Sequence, residues 1–486
     1  MGKRKNSDQK VGVFGLTALI VGSAIGSGIF ALPATLTAGA NAEGILIGWV
    51  IVGLGMLSLV IVYRNLTLRQ PKIDDGIYGW SKNMFGHFGG FIGAYGHGAG
   101  DAIGNASYLV VIFSALGAFG IFNFFGEGTT WPAVFVASAL LWLVNYFVLQ
   151  GVRTSTKLNN VITVVKVIPI ALFILLAILH FNYQTFIHGF NSTQVFNPIT
   201  NEVAYVSIFD QSKSVLLAAM WTLIGIESGT IYATRAKKLS DVAKATTVGA
   251  LIVIVLLVGT TILALGILTP AEISVLHHPS MAGLMDKMVG PWGGELINLC
   301  LIVSVLGALI AWVSLSAEEV RLSGRGGSGT KWLNGLNKKE APVNSMWLTT
   351  GITQVLMLIA GFSHAGYVVL LSFSTSLALI PYLFSSLYAL KSGITGKGYE
   401  SQQKGRLGES IFAFFAVVFV LYMIYGAGLR YLLLAAIVWA VGLPLFILGS
   451  KEQRRKLPVS ERITCIFVLI LALVGVISLF TGWITF

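Results

Sequence analysis

The chain repeats one pattern thirteen times: an apolar run long enough to cross a bilayer, with almost no charge inside it. As a helix, a span takes about 20 such residues. The runs cover 12–37, 44–63, 91–119, 131–150, 158–179, 214–232, 245–267, 296–316, 345–361, 365–390, 411–425, 431–449 and 463–484. So many runs exclude a soluble fold and define an all-α polytopic membrane protein. Composition agrees: 11% of residues are charged, where a soluble domain carries about 25%. Residues 1–10 are basic and polar, and the first run ends without a small-residue cleavage site, so it reads as a span and not a leader. Cys300 and Cys465 both fall inside runs, which leaves no disulfide framework and no thiolate metal site.

The net charge of +12 raises the question of nucleic acid. Its placement gives another answer. All but four of the 32 Lys and Arg lie on the side of the N-terminus; Lys213, Lys287 and Arg430 lie opposite, and Lys166 is inside a run. Positive charge gathers on the cytoplasmic side of membrane proteins. The N-terminus is therefore expected in the cytoplasm, and an odd number of spans puts the C-terminus outside. The basic charge records topology and contact with anionic lipid, not a nucleic-acid partner.

The first run contains IVGSAIGSGIFALP, with Gly22, Gly26 and Gly28 within seven residues. Glycine inside a helix costs about 1 kcal/mol against alanine. Bare backbone at bilayer depth survives only where it lines a cavity or is buried in protein. Gly26-Ser27-Gly28 thus reads as the unwound waist of a broken helix. The half-helix after it, from about Ile29, aims N–H groups and a positive dipole end inward, which suits a carboxylate. A close helix–helix contact through Gly22 and Gly26 is the alternative on this stretch alone. The sixth run, MWTLIGIESGTIYATR, is interrupted too, by Gly225, Ser228 and Gly229 around Glu227. Two interrupted spans at matching positions point to a transport site between repeated halves. The expected division is a tail, 1–11; a first repeat of five spans, 12–180; an external linker, 181–213; a second repeat, 214–391; and peripheral spans, 392–486.

The third run carries two stripes at helical spacing, Gly96, Gly100 and Gly104, and His97, Asp101 and Asn105. The glycines permit close packing, and the polar stripe must face protein or water. A carboxylate at mid-membrane costs at least about 2.5 kcal/mol, so Asp101 needs a partner or a function. Lys166 lies too deep to snorkel easily and is expected to satisfy acceptors in the core. Trp312 sits mid-helix, which suggests packing against a cavity, since membrane Trp favours interfaces. The link between the second and third runs reads as a short interfacial helix with Trp80 as its anchor. His277 and His278 read as a solvated loop and not a metal site. Ser372, Ser374 and Ser376 precede Pro381 and would satisfy backbone that the proline frees.

At the two breaks the chain resembles a known family. GSAIGSGIFALP is similar to the signature of the amino acid–polyamine–organocation superfamily, and WTLIGIESGT with RAKKLSDVAKAT to its sixth helix and following loop. DAIGNASY, GVRTSTKLNNVITVVKVIPI and NKKEAPVNSMWLT also fit, so the resemblance covers about 11–390. Within the superfamily the chain looks like the basic amino acid/polyamine antiporters, which exchange arginine for ornithine or agmatine, lysine for cadaverine, or histidine for histamine. The thirteenth span is a likeness to the arginine/ornithine branch.

The resemblance implies a fold of two inverted five-helix repeats with helices 1 and 6 broken. It implies that Gly26, Ser27 and Gly28 bind the substrate carboxylate, and that carbonyls of Ala24, Trp221 and Ile224 take the amine. Trp221 would close over the substrate, and Trp312 would stack on its side chain. Asn105 would contact that side chain, and Glu227 would serve gating or proton sensing. For Lys166 two readings stay open: its ammonium stands where another transporter would hold Na⁺, or it makes a plain structural ion pair. Asp101 departs from the arginine/agmatine relatives, which carry a small residue there; a carboxylate favours a cationic side chain.

The function expected is therefore exchange of a cationic amino acid for its metabolic product across the cell membrane, by alternating access. A proton-coupled symporter, a channel and an amino-acid sensor on the same fold are the alternatives. An enzyme is not expected, since no nucleophile–base pair or cluster of His or Cys ligands is legible. The expected partners are amino acids, amines and the lipid bilayer, with a homodimer left open; no cofactor, metal or nucleic acid is expected.

Overall fold

Helix after helix follows the apolar runs in a computed structural model that describes residues 12–73, 75–151, 156–198, 200–226, 237–363, 366–400 and 403–484. The first run gives two short helices, α1 (Val13–Ala24) and α2 (Gly28–Thr37), and the second a long one, α3 (Ala42–Arg69). Next come α4 (Gly76–Phe91), which contains a kink, a π-helical turn at Ile92–Gly96 and α5 (His97–Gly117). The following helices are α6 (Trp131–Leu149), α7 (Thr156–Leu179) and the short α8 (Tyr183–Ile187). Among the described residues nine helices are long and apolar enough to cross a membrane, and shorter apolar ones include α2.

The linker before the second break is more structured than its polar sequence suggests. It holds an antiparallel hairpin, β1 (Gln194–Asn197) with β2 (Glu202–Tyr205), and then α9 (Ile208–Ser214). Asn41, which precedes α3, ties it down: its Nδ2 donates to the carbonyls of Ser192 and Gln194, and its backbone N–H donates to Gln211 Oε1 at 2.8 Å. The chain continues through α10 (Leu216–Trp221), α11 (Leu239–Ala264), α12 (Pro270–Ser274), α13 (Ser280–Val289) and α14 (Pro291–Arg325). It closes with α15 (Val343–Ser363), α16 (Tyr367–Thr395), α17 (Arg406–Glu452) and α18 (Val459–Phe480).

Helix α5 is the axis of the packing. Every residue from His97 to Ala115 is buried, between α14, α15 and α16. The glycine stripe explains how. A Cβ on Gly96 would lie 2.9 Å from Trp439 Nε1, one on Gly100 2.9 Å from Leu377 Cβ, and one on Gly104 2.5 Å from Trp221 Cη2. All are below normal contact, so each glycine is the space its neighbour occupies. A protein-lined helix can carry polar residues that a lipid-facing one cannot.

Two local expectations change. Trp80 is not an interfacial anchor: it is 1% exposed and stacks on Tyr63, ring centroids 5.5 Å apart. Its helix is short, as expected, and ends where Phe85 and Gly86 leave helical geometry, Gly86 with φ 72°. Ser374 does not serve the backbone near Pro381; its hydroxyl donates across helices to the Gly100 carbonyl at 2.6 Å, a contact the glycine stripe makes reachable. As expected, the eleventh and twelfth runs are two helices: the stretch labelled α17 leaves helical geometry at Gly428, where φ is 74° and ψ 172°.

Candidate functional site

Both interruptions are present. Helix α1 ends at Ala24, Ile25 turns extended with ψ 92°, and α2 restarts at Gly28. The waist is thus 25–27, one residue earlier than expected. The leading N–H groups of α2 have no partner further back in the same helix, which leaves a donor-rich, positive end. Helix α10 ends at Trp221; residues 222–226 form turns, with Gly225 at φ 103°. Glu227, Ser228 and Gly229 lie outside the described residues, so nothing is stated of their structure.

The two breaks face one small chamber. Its lining includes Ala24, Gly26 and Gly28 from the first break, Trp221, Thr222 and Ile224 from the second, Asp101 and Asn105 from α5, and Trp312 from α14. Eight of the expected site residues therefore meet at one place, from four separate stretches of chain. Trp312 is 7% exposed and Asp101 6%, so the site is shielded.

Two expected residues stand just behind the lining. Ser27 is fully buried, and its hydroxyl shares a 3.0 Å hydrogen bond with Tyr367 at the start of α16. The Lys166 ammonium, 3% exposed on α7, donates to the carbonyls of Gly22 at 3.0 Å and Ile25 at 2.9 Å. These carbonyls border the point where α1 stops, and helix ends leave acceptors that need donors. Lys166 thus props the break open, and its burial is paired with acceptors as its depth required.

Sequence reasoning missed three lining residues. Tyr108 and Gly104 both lie in the quoted third-run motif, two turns and one turn from Asp101 respectively, and Gly104 lies on its glycine stripe. Thr222 follows Trp221 directly, but a threonine in an apolar run gives no signal of its own. Gly26 faces the Tyr108 hydroxyl, 2.8 Å from where a Cβ would stand. The glycines of the first break are therefore contact surfaces as well as helix breakers.

Interrupted helices aimed at a buried chamber, in a molecule of membrane-length helices, define a polytopic membrane transporter. The chain belongs to the amino acid permease family, which matches residues 11–471. It is 36% identical to an arginine/ornithine antiporter of Pseudomonas aeruginosa over 99% of both chains. It is 32% identical to an L-lysine transport protein of Corynebacterium glutamicum, over 98% of this chain and 96% of that one. An arginine/ornithine antiporter of Latilactobacillus sakei is 30% identical over 98% of each.

Proposed function

We propose that this protein exchanges a cationic amino acid for a related amino acid or amine, as the names of its relatives suggest for them. The observation that carries this is the chamber itself: both breaks and the Asp101 carboxylate line it together. A zwitterion's carboxylate meets the N–H end of α2, with Ser27, Gly28 and Gly26. Its ammonium meets carbonyls of Ala24, Trp221 and Ile224. The cationic side chain then reaches toward Asp101 and Asn105, with Trp312 as a stacking face. Glu227 and Lys166 act in gating. The matching breaks support two five-span repeats, 12–180 and 214–391, joined by 181–213 and followed by 392–486. The Lys and Arg distribution supports a cytoplasmic N-terminus, an odd number of spans would then leave the C-terminus outside, and the peripheral helices are available for a homodimer.

Lys166 favours one competing reading. An ammonium bound at the break could couple uptake to a proton, making the protein a symporter. Counterflow in proteoliposomes separates the two. An exchanger takes up labelled lysine, arginine, ornithine or histidine only when unlabelled substrate is inside. Uptake into empty vesicles driven by a proton gradient would reject exchange, and no uptake of any of the four under either condition would reject the reading as a whole.

A further inference from the structure

One cluster extends behind the chamber from Asp101 to two residues that this reading does not use. His97 and Asp101 lie one turn apart on α5, and Glu319 lies on α14 two turns past Trp312. His97 Nδ1 is 2.7 Å from Glu319 Oε2 and 3.8 Å from Asp101 Oδ2. His97 is 2% exposed and the Glu319 side chain 15%. Asp101 lines the chamber; His97 and Glu319 continue from it along the proposed cytoplasmic side.

We propose that Asp101, His97 and Glu319 form one cation subsite, in which the substrate's side-chain charge and a proton on His97 are alternative counter-charges. This rests on the proposal that Asp101 faces the side chain. Two carboxylates close together out of water cannot both stay ionised without positive charge nearby. An imidazole between them supplies it when protonated. A carboxylate accepts hydrogen bonds, so the short contact puts a hydrogen on Nδ1, and the added proton goes to Nε2. When a guanidinium or ammonium settles against Asp101, that proton is no longer required and leaves to solvent. With a neutral side chain it stays.

The same three residues present their donor atoms within 4.8 Å of one another, as a metal site would. The 2.7 Å separation of His97 Nδ1 and Glu319 Oε2 is a hydrogen-bond length, shorter than the roughly 3.4 Å between two ligands of a tetrahedral ion at about 2.1 Å. The described groups that face His97 are Asp101 from its own helix, Glu319 from α14, and Tyr382 from α16, whose ring centroid is 5.7 Å away. Glu318 beside Glu319 is engaged with Arg321.

The test is calorimetric binding to the purified full-length protein, in two buffers of different ionisation enthalpy, between pH 5.5 and 8. Lysine and arginine are compared with their uncharged isosteres, norleucine and citrulline. Within this pH range the cationic ligand is expected to release a fraction of a proton, and the isostere none. His97→Gln is expected to bind the cationic ligand at least as tightly, since the competing charge is gone, and without the proton release that His97 gives. Glu319→Gln should weaken the cationic ligand about tenfold more than its isostere and reduce the release. Equal release by both ligands, or release that survives His97→Gln in protein that still binds, overturns the subsite. If the release is absent while Asp101→Asn still selectively weakens the cation, the subsite fails and the function stands. If no amino acid binds the wild type, the functional reading fails first.

Discussion

Gly28 and Thr222 touch: a Cβ added to Gly28 would collide with Thr222 Cγ2, so the backbone of the first break rests on the first residue of the second. The two dipole ends that face the chamber are therefore held in mutual register by direct contact. Neither can shift without the other.

Gly28→Ala should then disable the protein through this contact. Overpacking costs about 1–3 kcal/mol, and the collision lies at the site, so initial exchange rates should fall at least about tenfold. Thr222→Ser in the same chain removes the methyl group that collides, and should recover part of the loss. Counterflow rates of the single and double variants check this.

Asp101→Asn should weaken cationic substrates more than neutral ones. The carboxamide keeps the shape and loses the charge, a change of about one to three powers of ten for a close pair. Competition of lysine and norleucine against a labelled substrate measures the difference. Equal loss for both would mean that Asp101 is structural.

Lys166→Met should destabilise the first break. It removes the donor from the carbonyls of Gly22 and Ile25, and each buried polar group left unsatisfied costs about 1–3 kcal/mol. Melting of the detergent-purified protein should move down by a few degrees, roughly, with substrate binding weakened more than for an exposed Lys287→Met control.

The loop between α12 and α13 should respond to pH. His277 Nε2 is 3.0 Å from Glu127 Oε1, and Ser114 donates to Glu127 Oε2 at 3.1 Å. Burial opposes the charge on His277, but its hydrogen bond and attraction to Glu127 prevail and lift it above the ordinary 6.5. Burial likewise opposes the Glu127 carboxylate, and His277 prevails in holding it below the ordinary 4.5. A raised His contributes stability that is complete below 6.5 and lost as pH rises through its folded value. A lowered Glu contributes stability present above 4.5 and lost as pH falls through its folded value. The clasp is thus strongest between those limits and loosens in alkali. Hydrogen exchange over 275–279, corrected for intrinsic rates, should quicken from pH 5.5 to 8.5 in the wild type and change less in Glu127→Gln.

Glycine spacing and buried charge made most of the chamber legible. Three glycines in seven residues marked the first waist to within one position, because a helix broken in lipid has few causes. Asp101, Lys166 and Trp312 stood out because each is expensive or unusual at that depth. Tyr108 and Thr222 did not, since ordinary residues in apolar runs acquire their role only from what packs opposite. Trp80 misled for the same reason: an interface and a buried aromatic stack favour the same side chain. Glu319 sits beside a solvent-facing Glu318–Arg321 pair, and only the fold brings it to His97.

The central claim is that backbone from two interrupted helices holds both ends of one amino acid. A structure with lysine or arginine bound tests it most directly. The carboxylate should lie within roughly 3 Å of N–H groups at Ser27 and Gly28, and the α-ammonium at similar distance from carbonyls of Ala24, Trp221 or Ile224. A ligand seated elsewhere, or held in the chamber by side chains alone, would contradict the account.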